Sequence, residues 1–180
     1  MDWKQKGKVI WKFEDHFNAD LIVGSKLLGV RDPEMLGKGC MAGFDPDFSK
    51  KIQRGDIMIA GKNFGYGNPH AEAVLALKKV GVSVLIAQSF YPTWYRIAIF
   101  HAFPVVSCPD IVSFANIGDE LEIDIKEGKI KKIPTNKSIG AEPFPGFLVP
   151  IMEDGGLVAH LKNQQKKTDA MSKDRGELTE

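Results

Sequence analysis

The residues of this chain best suited to chemistry form a glycine-rich segment that ends in a polar turn. The segment reads Gly61-Lys-Asn-Phe-Gly-Tyr-Gly-Asn-Pro-His70. Asn68 can cap a helix through its side-chain oxygen, and Pro69 suits the first helical position, where its missing N–H costs nothing. The sequence therefore predicts a helix that opens with Pro69. Its free N–H groups, beside the backbone of Gly67, can hold a carboxylate or phosphate.

Two side chains of this turn are placed to contact a bound anion. The imidazole of His70 has an unperturbed pKa of about 6.5, which suits both carboxylate binding and proton transfer. His70 also fits a plain position in water on the first helical turn, so both interpretations stay open. Asn68 is either a helix cap or a ligand. We take Gly67, Asn68 and His70 as candidate substrate-binding residues, and His70 as the candidate catalytic residue.

A strand–loop–helix–strand unit must position this turn. The apolar run at 56–60 precedes the glycines, and a near-continuous apolar run follows at 82–87. Between them, apolar residues recur at helical spacing, and Gly81 follows the last helical position. Two strands covered on both faces and joined by a helix indicate a parallel pair.

The remaining elements extend this unit into a single α/β domain. Period-two alternation at 120–125, with a turn at 126–129, predicts a β extension over 120–139. The other expected elements are strands at 9–11 and 104–106, helices at 33–39, 48–52 and 91–102, and a helical end at 148–161 broken by two glycines. The prediction is a mostly parallel sheet core flanked by helices. Residues 1–162 form the domain, and the polar residues 163–180 form a disordered tail.

Composition excludes several classes of partner. The net charge of +1 gives no strong field towards nucleic acid or anionic lipid. No apolar run approaches the roughly 18 residues that span a bilayer, and the first residues lack the apolar core of a signal peptide. We therefore expect a cytoplasmic protein that binds neither nucleic acid nor membrane.

The metal-ligating residues form no convincing set. Cys40 and Cys108 are the only cysteines and have no paired spacing, so we expect reduced, structural thiols. Asp15, Asn18 and Asp20 have the spacing of a metal loop but lack a following glycine and glutamate, which makes the signal weak. We expect no metal and no cofactor in this chain.

Several motifs, in order along the chain, resemble one family. They are the glycine-rich segment with 84–90, the segments 15–20, 32–36 and 40–46, and the segment 155–161. Together they span roughly residues 8–162 and resemble the small subunit of 3-isopropylmalate dehydratase, the swivelling domain of the aconitase superfamily. The resemblance implies an aconitase-type swivelling β/β/α domain.

The resemblance also implies a function. It implies a hydro-lyase subunit of leucine biosynthesis, acting on a small 2-hydroxy dicarboxylate. A large subunit would carry a [4Fe-4S] cluster whose open iron binds the substrate hydroxyl, and this chain would complete the active site. The alternative is a non-catalytic binding or scaffolding subunit that keeps the fold and the anion site.

The active turn departs from the family pattern. Relatives carry two serines and an arginine where this chain has Asn68, Pro69 and His70. One serine is the family's base, and the arginine grips a substrate carboxylate. Proline at the base position has no ionisable group. Three outcomes stay open: His70 takes over carboxylate binding or proton transfer, the partner subunit supplies the base, or the chemistry is lost.

Two further positions depart from the pattern. The family's substrate-selecting loop often reads Tyr-Leu-Arg-Thr, and here residues 27–31 are Leu-Leu-Gly-Val-Arg. Arg31 either reaches the same pocket, as a candidate substrate-binding residue, or is a solvated loop arginine. Tyr66 replaces a frequent cysteine, and we expect its ring to pack under the loop. Asp20 is expected to orient nearby backbone.

Overall fold

The fold was analysed in a computed structural model, which describes the backbone of residues 1–176. The strands are β1 (Lys4–Phe13), β2 (Ile57–Ala60), β3 (Val84–Ala87), β4 (Val105–Ser107), β5 (Glu120–Asp124), β6 (Lys129–Lys132) and β7 (Ser138–Gly140). The helices are α1 (Pro33–Gly39), α2 (Phe48–Lys51), α3 (Ala71–Val80), α4 (Pro92–Phe100), α5 (Ile111–Phe114), α6 (Val149–Glu153) and α7 (Leu157–Gly176). Short 3₁₀ turns lie at Ala19–Ile22, Ser25–Leu27 and Gly146–Leu148.

The strands form one mixed sheet in the order β4-β3-β2-β1-β5-β6-β7. The first four strands of that order are parallel to one another, and the last three continue antiparallel from β1. β1 joins the two halves: Lys4 to Lys8 pair with β5, and Val9 to Phe13 pair with β2. The predicted parallel core and the predicted β extension are both confirmed.

The parallel half contains the core that supports the glycine-rich turn. Every residue of β2 and β3 is buried, as their continuous apolar runs predicted. α3 buries Ala73, Val74, Ala76 and Leu77. Gly81 ends α3 in the left-handed conformation, at φ 100°, and its N–H donates to the carbonyls of Leu77 and Lys78. The strand–helix–strand unit is thus fixed at both ends.

The C-terminal segment is helical in the part that the structure describes, and the boundary at residue 162 with a disordered tail stays a prediction. α7 continues through the proposed boundary at residue 162 to Gly176, so residues 163–176 are helical, and residues 177–180 lie outside the described part. Local pairing explains the helix, because Gln165 donates to Asp169 at 2.8 Å and Thr168 donates to the carbonyl of Gln164 at 3.2 Å. Within residues 1–176, no helix is long and apolar enough to cross a membrane.

Candidate functional site

The glycine-rich loop after β2 is held on two sides by backbone hydrogen bonds. The N–H of Gly65 donates to the carbonyl of Phe17 at 2.9 Å. On the other side, the N–H of Phe64 donates to the carbonyl of Ser89 at 3.0 Å, and the N–H of Tyr91 donates to the carbonyl of Phe64 at 2.8 Å. The loop therefore lies between the segment after β1 and the segment after β3.

Two glycines of the loop meet specific side chains at close range. Gly65 has a φ of 86°, and a Cβ there would overlap the fully buried indole of Trp94. Gly67 has a φ of 105°, and a Cβ there would lie 3.2 Å from the side-chain nitrogen of Asn18. Left-handed backbone and close approach both require glycine at these positions.

His70, the residue immediately before α3, is bound to Asp20. Its backbone N–H donates to Oδ1 of Asp20 at 3.1 Å, and its ring Nδ1 lies 3.0 Å from the same oxygen. His70 is extended, with φ −112° and ψ 155°. The predicted helix start at Pro69 is therefore wrong, because this bond holds residue 70 outside the helix. α3 begins at Ala71, and the side chains of Asn68 and His70 do not cap it.

Asp20 is itself fixed by its neighbours. It lies in the 3₁₀ turn Ala19–Ile22, and its N–H donates to Oδ1 of Asn18 at 2.9 Å. The side chain of Asn18 in turn packs against Gly67. The expectation that Asp20 orients nearby backbone is confirmed by its bond to the N–H of His70.

The surroundings of His70 favour its protonated form. The hydrogen bond to Asp20 raises the pKa of the imidazole above its ordinary value, and the charges of Asp20 and Glu72 act in the same direction. The side chain of His70 remains 37% exposed. A partly accessible imidazole with a raised pKa can donate a charge-assisted hydrogen bond to an anion.

Glu72, which sequence reasoning missed, connects the start of α3 to the loop at 27–31. Its Oε1 accepts from the N–H of Gly29 at 2.8 Å. Arg31, however, lines a groove with Leu75 and the residues 78–81, beside the C-terminal half of α3. The structure therefore brings Gly67, Asn68 and His70 into one turn but places Arg31 towards the other end of the helix. The pairing of Glu72 with Gly29 had no local sequence signal.

The position predicted for Tyr66 is also wrong. The ring of Tyr66 is half exposed and meets His16 and Tyr91 edge-on, with centroid distances of 6.1 and 5.9 Å. Trp94 occupies the space under the loop instead and stacks on Phe90 at 5.7 Å.

The cysteines and the acidic loop do not fit an iron–sulfur cluster or another metal. A [4Fe-4S] cluster is ordinarily held by four cysteine thiolates. Here burial raises the pKa of Cys40 to about 12, and burial also raises the pKa of Cys108. Asp15 and Asn18 use their oxygens on backbone N–H groups. Among the described residues, no group of three potential ligands is assembled.

Several known proteins are similar to this chain in sequence and in fold. No protein-family model matches the chain. The 3-isopropylmalate dehydratase small subunit of Halothermothrix orenii is 42% identical over 159 residues, which cover 88% of this chain and 96% of that protein. The isopropylmalate/citramalate isomerase small subunit of Methanocaldococcus jannaschii is 40% identical over 163 residues, with 91% and 96% covered. A crystal structure of 3-isopropylmalate dehydratase from the same organism aligns with a TM-score of 0.85 at 33% identity, covering 93% of this chain and 99% of that one.

The fold is thus the aconitase-type swivelling β/β/α class that the motifs indicated, a class of hydro-lyase subunits. Within that class, the chain belongs to the family of 3-isopropylmalate dehydratase small subunits.

Proposed function

We propose that this chain completes the active site of a hydro-lyase by docking onto a large subunit, and that the pair acts on a small 2-hydroxy dicarboxylate. The proposal is supported by relatives that are named as small subunits of a dehydratase and an isomerase, and by coverage that extends over nearly their whole length. We also propose a cytoplasmic location, because two buried free thiols are typical of a reducing compartment.

The [4Fe-4S] cluster of this reaction belongs to the large subunit in our proposal. This chain has two cysteines, both desolvated, and a cluster needs more thiolates than that. When bound in the partner, the cluster supplies a Lewis acid for the substrate hydroxyl. The contribution of the present chain is to bind and orient the rest of the substrate.

His70 is the side chain through which the chain acts on the substrate. The single observation that carries this role is its position: a partly exposed imidazole at the end of the glycine-rich turn, next to the open N-terminus of α3. The backbone of Gly67 and Asn68 borders the same space. In this proposal, the imidazole meets a substrate carboxylate, and the free N–H groups of the first helical turn add to the attraction for an anion.

Arg31 has a weaker case. It is an alternative anchor only if the substrate extends from His70 along α3, since the groove that Arg31 lines is at the far half of that helix. Residues 27–31 and 68–70 differ from the pattern of the family. A series of hydroxy diacids of different length should therefore be tested rather than one compound.

The face that carries His70 is also the proposed docking face. Leu21, Phe44 and Tyr66 are each about half exposed there. Leu21 follows Asp20 in the 3₁₀ turn Ala19–Ile22. The other two contact the residues just before that turn: the ring of Phe44 lies 5.6 Å from that of Phe17, and the ring of Tyr66 lies 6.1 Å from that of His16. Exposed apolar side chains around a charged centre suit burial against another subunit.

The experiment is a kinetic comparison of the reconstituted complex with three histidine variants. Loss of a charge-assisted hydrogen bond of about 1.5–3 kcal/mol predicts that His70→Ala lowers kcat/KM roughly 10–150-fold. His101→Ala and His160→Ala are the controls, since the ring of His101 meets that of Phe100 and the ring of His160 bonds Asp154. Equal rates for all three variants would reduce the turn to a backbone scaffold and leave the chemistry to the partner.

A further inference from the structure

We propose that Asp20 is the positioning residue of this site: it fixes which ring nitrogen of His70 faces the substrate. This inference rests on the role proposed above for His70. Its basis is that one carboxylate oxygen, Oδ1 of Asp20, bonds both the backbone N–H and the ring Nδ1 of the same residue. Two bonds to one oxygen fix the orientation of the ring relative to its own backbone.

The chemistry of the pair assigns the proton. A carboxylate only accepts hydrogen bonds, so the ring nitrogen that meets Asp20 must be the one that carries hydrogen. In the neutral ring, the hydrogen is therefore on Nδ1, and Nε2 has the lone pair. Nε2 makes no hydrogen bond to Asp20, and the backbone of Asn68 is a further group that favours the charged ring. Nε2 is left to alternate between a lone pair and an N–H as the ring gains or loses its second proton.

The charges around the ring decide which of these forms meets the substrate. Asp20, from the 3₁₀ turn, and Glu72, from the first turn of α3, are the charged groups that act on His70, and both are negative. They favour the imidazolium, whose Nε2–H donates to a carboxylate oxygen. Asp20 thus extends to higher pH the range in which His70 can bind a substrate carboxylate, and we place the base in the large subunit.

The pH dependence follows with a definite sign. Asp20 raises the pKa of His70, so the Nε2–H donor is fully present below the ordinary pKa of histidine. The donor is lost as the pH rises through the raised pKa of the folded protein. The KM of the complex should therefore rise on the alkaline side. Removing the charge of Asp20 should move that rise to lower pH.

The first test is a titration of the full-length chain by long-range ¹H–¹⁵N spectroscopy of its histidine rings. We expect His70 to show the Nδ1–H tautomer when neutral and to titrate at higher pH than His101, whose pKa is lowered by burial. Asp20→Asn should lower the pKa of His70. Asp15→Asn is the matched control, because Asp15 also holds a backbone N–H, that of Lys62 at 2.7 Å, but contacts no imidazole in the described residues.

Two outcomes of the titration would overturn the proposal. One is an Nε2–H tautomer of His70 in the unmodified chain, a result that needs no variant to fold. The other is the same His70 pKa in the unmodified chain and in Asp20→Asn.

A kinetic measurement separates this proposal from the proposed function. In the reconstituted complex, Asp20→Asn should shift the alkaline rise of KM to lower pH, with a smaller change in kcat. If the titration behaves as expected but neither His70→Ala nor Asp20→Asn changes the kinetics, the proposed function fails and the role given to Asp20 fails with it. If His70→Ala impairs catalysis but the tautomer is reversed, only the role of Asp20 is refuted.

Discussion

Trp94 lies directly beneath Gly65, so its indole fills the space that any side chain at position 65 would need. The indole is fully buried and meets the rings of Phe64 and Phe90 at 4.8 and 5.7 Å. This contact fixes the height of the glycine-rich loop above the core. Because the same loop leads to His70 five residues later, the packing under Gly65 sets the position of the proposed site.

We expect Gly65→Ala to destabilise the protein by about 2–4 kcal/mol, because it combines overpacking against Trp94 with a left-handed backbone. The measurement is the free energy of unfolding in urea. Gly43→Ala is the matched control, since a Cβ there meets no atom within 4 Å and the backbone is not left-handed. Similar stabilities for the two variants would contradict the contact.

Glu72 should control the mobility of the loop at 27–31. Its Oε1 accepts from the N–H of Gly29, so Glu72→Ala should speed amide exchange at Gly29 roughly 2–12-fold, for a bond of about 0.5–1.5 kcal/mol. Glu72→Gln keeps the accepting oxygen and should preserve most of the protection. Glu34→Ala is the control, because the carboxylate of Glu34, on α1, pairs with Lys79 at the far end of α3. Unchanged exchange in Glu72→Ala would show that the loop is held by other contacts.

The elements around the site were predictable because their signals are local. Continuous apolar runs predicted β2 and β3. Gly81 predicted the end of α3, where the backbone is left-handed. The start of α3 was misplaced by two residues for a different reason. The backbone conformation of His70 is fixed by the carboxylate of Asp20, which lies fifty positions earlier in the chain. No local pattern in the sequence predicts this hydrogen bond.

The same distinction explains the other differences. Tyr66 was expected under the loop because its position in the sequence allows that packing, but Trp94 reaches the space from α4. The composition of the last residues indicated disorder, whereas pairs such as Gln165 with Asp169 depend on spacing along a helix rather than on composition. The resemblance to a known family identified the turn, but only the folded structure connects His70 to Asp20.

The two cysteines should be inert towards thiol reagents in the folded protein. Burial raises the pKa of Cys40 to about 12, and burial also raises the pKa of Cys108, so neither thiol forms its reactive thiolate near neutral pH. A colorimetric disulfide reagent should detect no thiol at pH 7.5 in the folded chain and both thiols after unfolding in guanidinium. Rapid reaction of either cysteine without denaturant would contradict the burial.

The last prediction concerns assembly. If the large subunit buries the exposed half of Leu21 and Phe44, replacing either with serine removes about 0.8–1.5 kcal/mol of apolar burial and weakens association roughly 4–13-fold. The half of each side chain that is buried in the isolated chain limits the loss in the free energy of unfolding to about 1.5 kcal/mol. Phe147→Ser is the control, because Phe147 is 80% exposed and lies in the 3₁₀ turn before α6, away from the glycine-rich loop in sequence and without a ring contact to it.

The association constant can be measured by calorimetric titration of the large subunit into each variant. Weaker binding for Leu21→Ser and Phe44→Ser, with Phe147→Ser unchanged, would place the partner on the face that carries His70. The reverse order would place the interface at the surface around Phe147 instead. The docking face proposed around His70 would then be refuted, so the assembly measurement also bears on the role proposed for the imidazole.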